Sequence, residues 1–319
     1  MGRIVVGIDG SQGSLVALRW AGVVAARLGL PLLAVQAWQY PPSAGSPLGA
    51  SHLPGTWRSD QEVEAELRAL VERELASVRD LEVGVRPGHG PAAAALLAAA
   101  GRDTDLLVVG SRGMGGFAGL LVGSVSHQVT EHAPCPVTVV PAAEVGAEQR
   151  TAGPDENAAA AGQGAADGDE PTAAARAGGA TPPPVPRSLL VGTDGSSHAQ
   201  HALRHAADLA IRLKAGLTVA SVVPAAEIAR DPSGVLDERT AELERWTRPV
   251  RDDGLDPRLS VAVGDARSTL LETAHDHGAD LLVIGSRGLG PIARLLLGSV
   301  ATALVAHSDL PVTVVPPPR

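Results

Sequence analysis

Residues 105–141 read DLLVVGSRGMGGFAGLLVGSVSHQVTEHAPCPVTVVP, and residues 280–316 read DLLVIGSRGLGPIARLLLGSVATALVAHSDLPVTVVP. They align without a gap, and a direct count gives 22 identities in 37 positions. Each segment runs from an apolar, β-branched stretch into a glycine turn, then a helical stretch, then a second β-branched stretch. That is a strand–loop–helix–strand unit, and it occurs twice. The openings repeat as well: Val5 to Ser11 is VVGIDGS and Leu190 to Ser196 is LVGTDGS. A whole domain is therefore duplicated, with copies at 1–141 and 187–319.

Runs such as Leu106-Leu107-Val108-Val109 are apolar on both faces, as expected of a parallel strand covered by helices on both sides. Alternation of such runs with helical patterns predicts an α/β fold. Each copy is read as an open five-stranded parallel sheet with helices on both faces, Rossmann-like in kind. The strands fall near 3–9, 31–37, 81–86, 105–110 and 136–140 in copy one. In copy two they fall near 188–194, 217–223, 258–263, 280–285 and 311–315. Leu18, Ala21, Ala25 and Leu28 recur at helical spacing, as do Ala199, Leu203, Ala206, Ala210 and Leu213. A charged helix is expected near 60–79, and Tyr40 to Ser59 reads as a surface loop rich in Pro, Gly and Ser. Between the copies, residues 142–186 lack Ile, Leu, Phe, Trp and Tyr. Such a segment buries too little apolar surface to offset the entropy of ordering, so it reads as a disordered tether.

Composition removes several function classes. The net charge of −9 and 2% aromatic content argue against nucleic-acid binding, which wants a basic face and stacking rings. Lys214 is the only lysine and has no glycine-rich loop around it, which excludes a Walker-type kinase or ATPase. The single cysteine, Cys135, permits no internal disulfide and no four-cysteine zinc site. Cys135 aligns with Leu310 and reads as a small packed residue. No apolar run reaches the ~20 residues of a membrane span, and no leader is evident, so the expectation is a cytoplasmic protein without membrane contact.

The chemistry-bearing pattern is Gly110-x-x-Gly113, nine residues, then Gly123-Ser124. It returns as Gly285-x-x-Gly288, nine residues, then Gly298-Ser299. Glycines let backbone N–H groups approach an anion closely, and a Gly-Ser pair opening a helix offers free N–H groups to phosphate. Arg112 and Arg287, inside the motif, add a charge-assisted donor. Each such contact contributes ~0.3–3 kcal/mol, whereas micromolar binding needs about 8 kcal/mol, so the nucleoside must be gripped too. Asp9 and Asp194, ending the first strands, suit that end of a ligand; capping of the following helix is the alternative role. Ligands of open parallel sheets sit beyond the strands' carboxyl ends, between strands one and four if the order is 3-2-1-4-5. His132 and His307 match across copies without a metal-type partner and fit helix C-termini. No metal-ligating or catalytic residues are assigned.

These motifs together, V-G-x-D-G-S, G-x2-G-x9-G-S and P-V-T-V-V-P, resemble the universal stress protein family in its tandem, ATP-binding form, over both copies. The resemblance implies the adenine nucleotide alpha hydrolase-like form of this fold, and ATP as cofactor, with Mg2+ as a candidate counter-ion. It implies that the motif glycines with Ser124 and Ser299 hold phosphates and ribose, and that Asp9 and Asp194 face the nucleoside. Ala37 and Val222 would offer backbone contacts to adenine, and Val125 and Val300 would assist through their backbone. It also implies an intramolecular pseudo-dimer through the fifth strands, with a further homodimer left open. The function implied is non-catalytic and nucleotide-responsive. The alternatives are a nucleotide-free interaction scaffold and a weak ATP hydrolase. A nucleotidylyl transferase or ATP pyrophosphatase would instead need His-x-Gly-His or Ser-Gly-Gly-x-Asp-Ser after the first strand, which Asp9 to Ser14 is not. Two departures mark copy two: Ala301 for Ser126, read as a lost phosphate contact, and Pro291 for Gly116. Both suggest weaker binding there.

Overall fold

The structure, a computed structural model, describes residues 2–38, 59–101, 103–113, 123–142, 184–228, 231–289 and 297–317. Most of the 40–59 loop, nearly all of the 142–186 segment, Gly116 and Pro291 lie outside these residues.

In copy one, β1 (Arg3–Ile8), α1 (Gln12–Leu28), β2 (Leu32–Trp38), α2 (Asp60–Glu74), β3 (Val83–His89), α3 (Ala92–Ala99), β4 (Thr104–Gly110), α4 (Ser124–His132) and β5 (Val137–Val140) follow one another. Copy two repeats the series as β6 (Ser188–Gly192), α5 (Ser197–Leu213), β7 (Gly216–Val223), the short α6 (Ala225–Ile228), α7 (Pro232–Asp252), β8 (Arg258–Val263), α8 (Ala266–Asp276), β9 (Leu281–Gly285), α9 (Ser299–His307) and β10 (Val312–Val315). The strand order is β3-β2-β1-β4-β5-β10-β9-β6-β7-β8, so each copy has the anticipated 3-2-1-4-5 sequence of parallel strands. Successive side chains alternate between faces. Ile4, Val6 and Ile8 join α1 and α2 in one apolar cluster, while Val5 joins α3 and α4 in the other.

The two half-sheets are continuous. β5 and β10 pair antiparallel, with Thr138 opposite Thr313 and Val139 opposite Val312. Thr138 and Thr313 are equivalent positions of the two copies, so a pseudo-two-fold axis passes through this pair. Their hydroxyls hydrogen-bond each other at 2.8 Å, and both residues are fully buried. α1 and α5 cover this seam, and Arg27 of α1 donates to the Leu213 carbonyl at the end of α5, at 3.1 and 3.3 Å.

Local signals account for the helix limits. Ser11 and Ser196 cap α1 and α5, and a left-handed residue ends each, Gly29 (φ 64°) and Lys214 (φ 57°). Ser59 and Glu62 form a reciprocal capping box that opens α2, which ends at Glu74 rather than continuing to 79. Cys135 is buried in the α3/α4 core, and His132 and His307 are the last residues of α4 and α9. No helix among the described residues is long and apolar enough to cross a membrane.

Candidate functional site

The carboxyl ends of β1 and β4, and of β6 and β9, bring the glycine motifs beside the first-strand aspartates. The first glycine of each motif is demanded by packing. A Cβ on Gly110 would lie 2.7 Å from the Gly13 carbonyl, and one on Gly285 would lie 3.0 Å from the backbone of His198. The strand ends can therefore touch the first turns of α1 and α5 only as glycine. The second glycines, Gly113 and Gly288, lie against Asp9 and Asp194, whose carboxylates occupy the space a Cβ would need.

That contact defines what the aspartates do within the protein. Asp9 Oδ1 accepts from the Ser11 amide and hydroxyl at 2.9 and 2.6 Å. Asp194 Oδ1 accepts from the Ser196 amide at 3.0 Å, and its Oδ2 accepts from the Leu289 amide at 2.8 Å. One carboxylate thus ties the turn after strand one to the glycine loop after strand four. This bracing role stands beside the one expected toward a nucleoside.

Gly123 and Gly298 differ from the other motif glycines. Both have ordinary φ values, −71° and −75°, and a Cβ there would meet no atom closer than 3.5 Å. Packing against the described residues does not call for glycine at these two positions. They open α4 and α9, which take no side-chain cap, whereas α1, α2, α5, α7 and α8 all take one from a serine or aspartate. The N–H groups of Ser124 and Val125, and of Ser299 and Val300, are the orphan donors that a helix start presents to an anion.

In copy two these features line one cleft of about 610 Å³, within the size range of small-molecule sites. It gathers Asp194, Val222, Gly285, Arg287, Gly288, Gly298, Ser299 and Val300. In copy one, Asp9, Gly110, Arg112, Gly113, Gly123, Ser124 and Val125 occupy the equivalent strand and helix ends, with Ala37, like Val222, next to last in its strand. Arg112 is exposed, while Arg287 is half-buried with its Nε enclosed.

One expectation is corrected. Ser126 does not point toward a ligand: its hydroxyl donates to the Gly110 carbonyl at 2.6 Å, inside the core. Ala301 in copy two therefore forgoes a loop brace rather than a phosphate contact. Sequence reasoning also missed lining residues of the second cleft, among them Thr193, His198, Ser286, Glu227 and Arg239. Arg239 had a legible signal. It lies four residues before Leu243 and eight before Thr247, on the buried stripe of α7. An arginine on such a stripe must be paired. It donates to Ser221 at 3.3 Å, pairs with Glu242 at 3.1 Å and lies 6.0 Å from the Trp246 ring centre. The nucleoside-side walls differ between copies. Trp38 pairs in register with His89, and Asp60 bridges them at 3.1 and 3.0 Å, whereas Val223 pairs with Val263 in copy two. Among the described residues no group of three His, Cys, Asp or Glu side chains is arranged to hold a metal ion.

Comparison with known proteins agrees with this architecture. The model of the universal stress protein family matches residues 1–141 and 186–316. A universal stress protein of Mycobacterium tuberculosis is 30% identical over 320 aligned residues, covering 98% of this chain and 95% of its own. One from Mycobacterium bovis is 26% identical, covering 98% and 96%. The crystal structure of a universal stress protein from Archaeoglobus fulgidus shares the fold with a TM-score of 0.62 at 18% identity, covering 98% of both chains. With two matching regions that together span most of its length, the chain belongs to the universal stress protein family.

Proposed function

We propose that this protein binds ATP in the crevice of each copy and acts as a non-catalytic, nucleotide-responsive regulator of stress physiology. The observation that carries the reading is the pair Gly123 and Gly298. Each is a glycine with no steric or conformational need for one among the described residues, at a helix start without a side-chain cap, beside a tightly braced glycine loop. A ligand that needs close backbone approach supplies the missing reason, and phosphate is the group such N–H ends favour. The fit is supported by Ser286 Oγ and Arg287 Nε, both buried beside the cleft without a hydrogen-bond partner among the described residues.

On this reading Ser124, Val125, Ser299 and Val300 hold phosphate through backbone and hydroxyl donors, Arg112 and Arg287 add charge, and Ala37 and Val222 meet adenine through their backbone. Asp9 and Asp194 hold the loop in shape while meeting the nucleoside. Mg2+ would enter with the triphosphate. Among the described crevice residues no base–nucleophile pair is assigned, which is why the reading is binding rather than turnover. The copies act as an intramolecular pseudo-dimer through the β5/β10 seam, so one crevice can sense the other.

The test is to denature the purified protein, identify released nucleotide by mass spectrometry, and titrate ATP calorimetrically into wild type, Gly123→Val and Gly298→Val. About one or two equivalents, lost copy by copy, is the expected result. No released nucleotide and no heat at millimolar ATP would overturn the reading in favour of a nucleotide-free scaffold.

A further inference from the structure

Copy two holds its first-strand turn from a direction that α2 does not use in copy one. The turn Asp194-Gly195-Ser196 follows β6, and Gly195 takes a left-handed conformation (φ 78°). A Cβ there would collide with Cζ2, Cε2 and Cη2 of Trp246, so the six-membered ring of this α7 side chain rests directly on the Gly195 backbone. The counterpart Gly10 has the same conformation (φ 83°), yet a Cβ there would meet no atom of the described residues within 4 Å.

The sequence gives the reason. Ala-Glu-Leu stands at 65–67 in α2 and at 241–243 in α7, and Leu67 and Leu243 are both buried. On that alignment Trp246 replaces Leu70, and Arg239 replaces the buried Val63. Arg239 then joins the turn to the cleft. Its guanidinium lies 6.0 Å from the Trp246 ring centre, and it donates to Ser221 of β7 at 3.3 Å. It also pairs with Glu242 at 3.1 Å and lies 3.9 Å from Glu227 of α6. Ser221 is fully buried, so the guanidinium is anchored to the sheet. Asp194, Arg239 and Glu227 line the cleft, and Trp246 lies behind them. A ligand seated there meets two residues that one indole connects, and close-packed contacts transmit displacement rather than absorb it.

Resting on the nucleotide reading above, we propose that Trp246 is a positioning residue of copy two, which sets the Asp194 turn and, through Arg239, couples occupancy of that crevice to α7. Copy one has Val63 and Leu70 in these places, so α2 does not respond. The nucleotide-dependent change is then carried by α7, whose outer face exposes Asp237, Glu238, Glu244, Arg245 and Arg248.

The test uses the full chain carrying Gly123→Val, in which copy two alone binds, and the reciprocal Gly298→Val, each with and without saturating ATP. In Gly123→Val, ATP slows amide hydrogen exchange in α7 about fivefold or more, the lower end of an allosteric coupling. In Gly298→Val, exchange in α2 is unchanged by ATP. Trp246→Leu and Arg239→Val, each the residue that copy one carries, abolish the α7 response of the Gly123→Val chain, with ATP raised until calorimetry shows saturation. Should Trp246→Leu unfold copy two, Arg239→Val decides alone. The ATP-dependent change in tryptophan emission of the Gly123→Val chain is likewise lost on adding Arg239→Val, although Trp246 is still present; a tryptophan that only fills space would respond alike in both. No α7 response in Gly123→Val, equal responses in α2 and α7, or an α7 response that survives both substitutions would overturn the coupling while leaving nucleotide binding intact. Failure of wild type and both parents to bind ATP would overturn the function itself, and the coupling with it.

Discussion

Acidification should destabilise this protein through one residue, His205. It sits in the third turn of α5 at the position that Trp20, 3% exposed, occupies in α1. Its Nε2 is buried without a partner among the described residues. Burial disfavours the imidazolium and takes the pKa from 6.5 to about 4; Asp208 opposes the shift, while His201 and Arg212 add to it. A histidine whose folded pKa is depressed is bound by fewer protons folded than unfolded, so stability falls as pH falls from the unfolded value toward the folded one. With those two values, linkage gives a loss of ~2 kcal/mol between about pH 8 and about pH 5, approaching ~3 kcal/mol near pH 4. Part of the residue reaches solvent, which makes these figures upper bounds. His201, also lowered, chiefly by burial, acts in the same direction. Asp105 is raised, chiefly by burial, which favours folding at low pH; its window lies above its ordinary value of 3.8 and offsets part of the histidine effect at the acid end. Asp265, lowered to about 2 chiefly by its hydrogen bond from Arg267, titrates lower still. Comparison with a His205 variant isolates the histidine, because the Asp105 contribution is common to both proteins. The assay is urea unfolding followed by far-UV circular dichroism at about pH 8 and about pH 5, for wild type and His205→Leu. The variant should lose up to ~2 kcal/mol less than wild type across that interval. An unchanged difference would refute the assignment of the pH slope to this ring.

The seam offers a cycle. Thr138→Val leaves the buried Thr313 hydroxyl without its partner and should cost ~1–3 kcal/mol in denaturant unfolding, while Thr138→Val with Thr313→Val should cost much less than the two singles combined; strict additivity would show that the 2.8 Å contact carries no energy. Lys214 holds a left-handed conformation (φ 57°) where copy one uses Gly29. Lys214→Gly should therefore stabilise copy two by roughly 0.5–1 kcal/mol, read as a raised thermal midpoint; a lowered midpoint would mean that the lysine side chain contributes more than the backbone strain costs.

Much of the fold was legible because it is written in periods. The apolar runs at β1, β4 and β5 and the stripes of α1 and α5 follow from burial on two faces and on one face respectively, and the structure buries Leu18, Ala21, Ala25, Ala199, Leu203, Ala206, Ala210 and Leu213 as the spacing requires. The strand order 3-2-1-4-5 entered the sequence reading only as a condition for placing the crevice, and the structure supplies it. α3 was not placed from sequence for a physical reason: Ala92–Ala99 is six alanines and two leucines, which carry no polar face to set a phase. α2 stops at Glu74 with Leu75 as its C-cap, although Leu75 continues the Val63, Leu67, Val71 stripe into the core; the charge alternation used to extend the helix to 79 is not a burial signal.

The site was legible in its backbone and not in its side chains. Spacing located the glycine loops, because glycine is chosen where chain meets chain or chain meets ligand, and Gly110, Gly113, Gly285 and Gly288 prove to be cases of the first kind. Gly123 and Gly298 meet no such close contact among the described residues, so the motif divides into glycines that shape the loop and glycines whose reason lies elsewhere. The side-chain roles could not be read in the same way, since they depend on partners distant in sequence. Ser126 turns inward to Gly110, and Ser286 loses its donor to a proline 31 positions later, at 317. Duplication is what makes such events visible. One copy supplies the bonded arrangement, Ser111 accepting from the Ala142 amide, against which Ser286, with Pro317 and no N–H in that place, stands out.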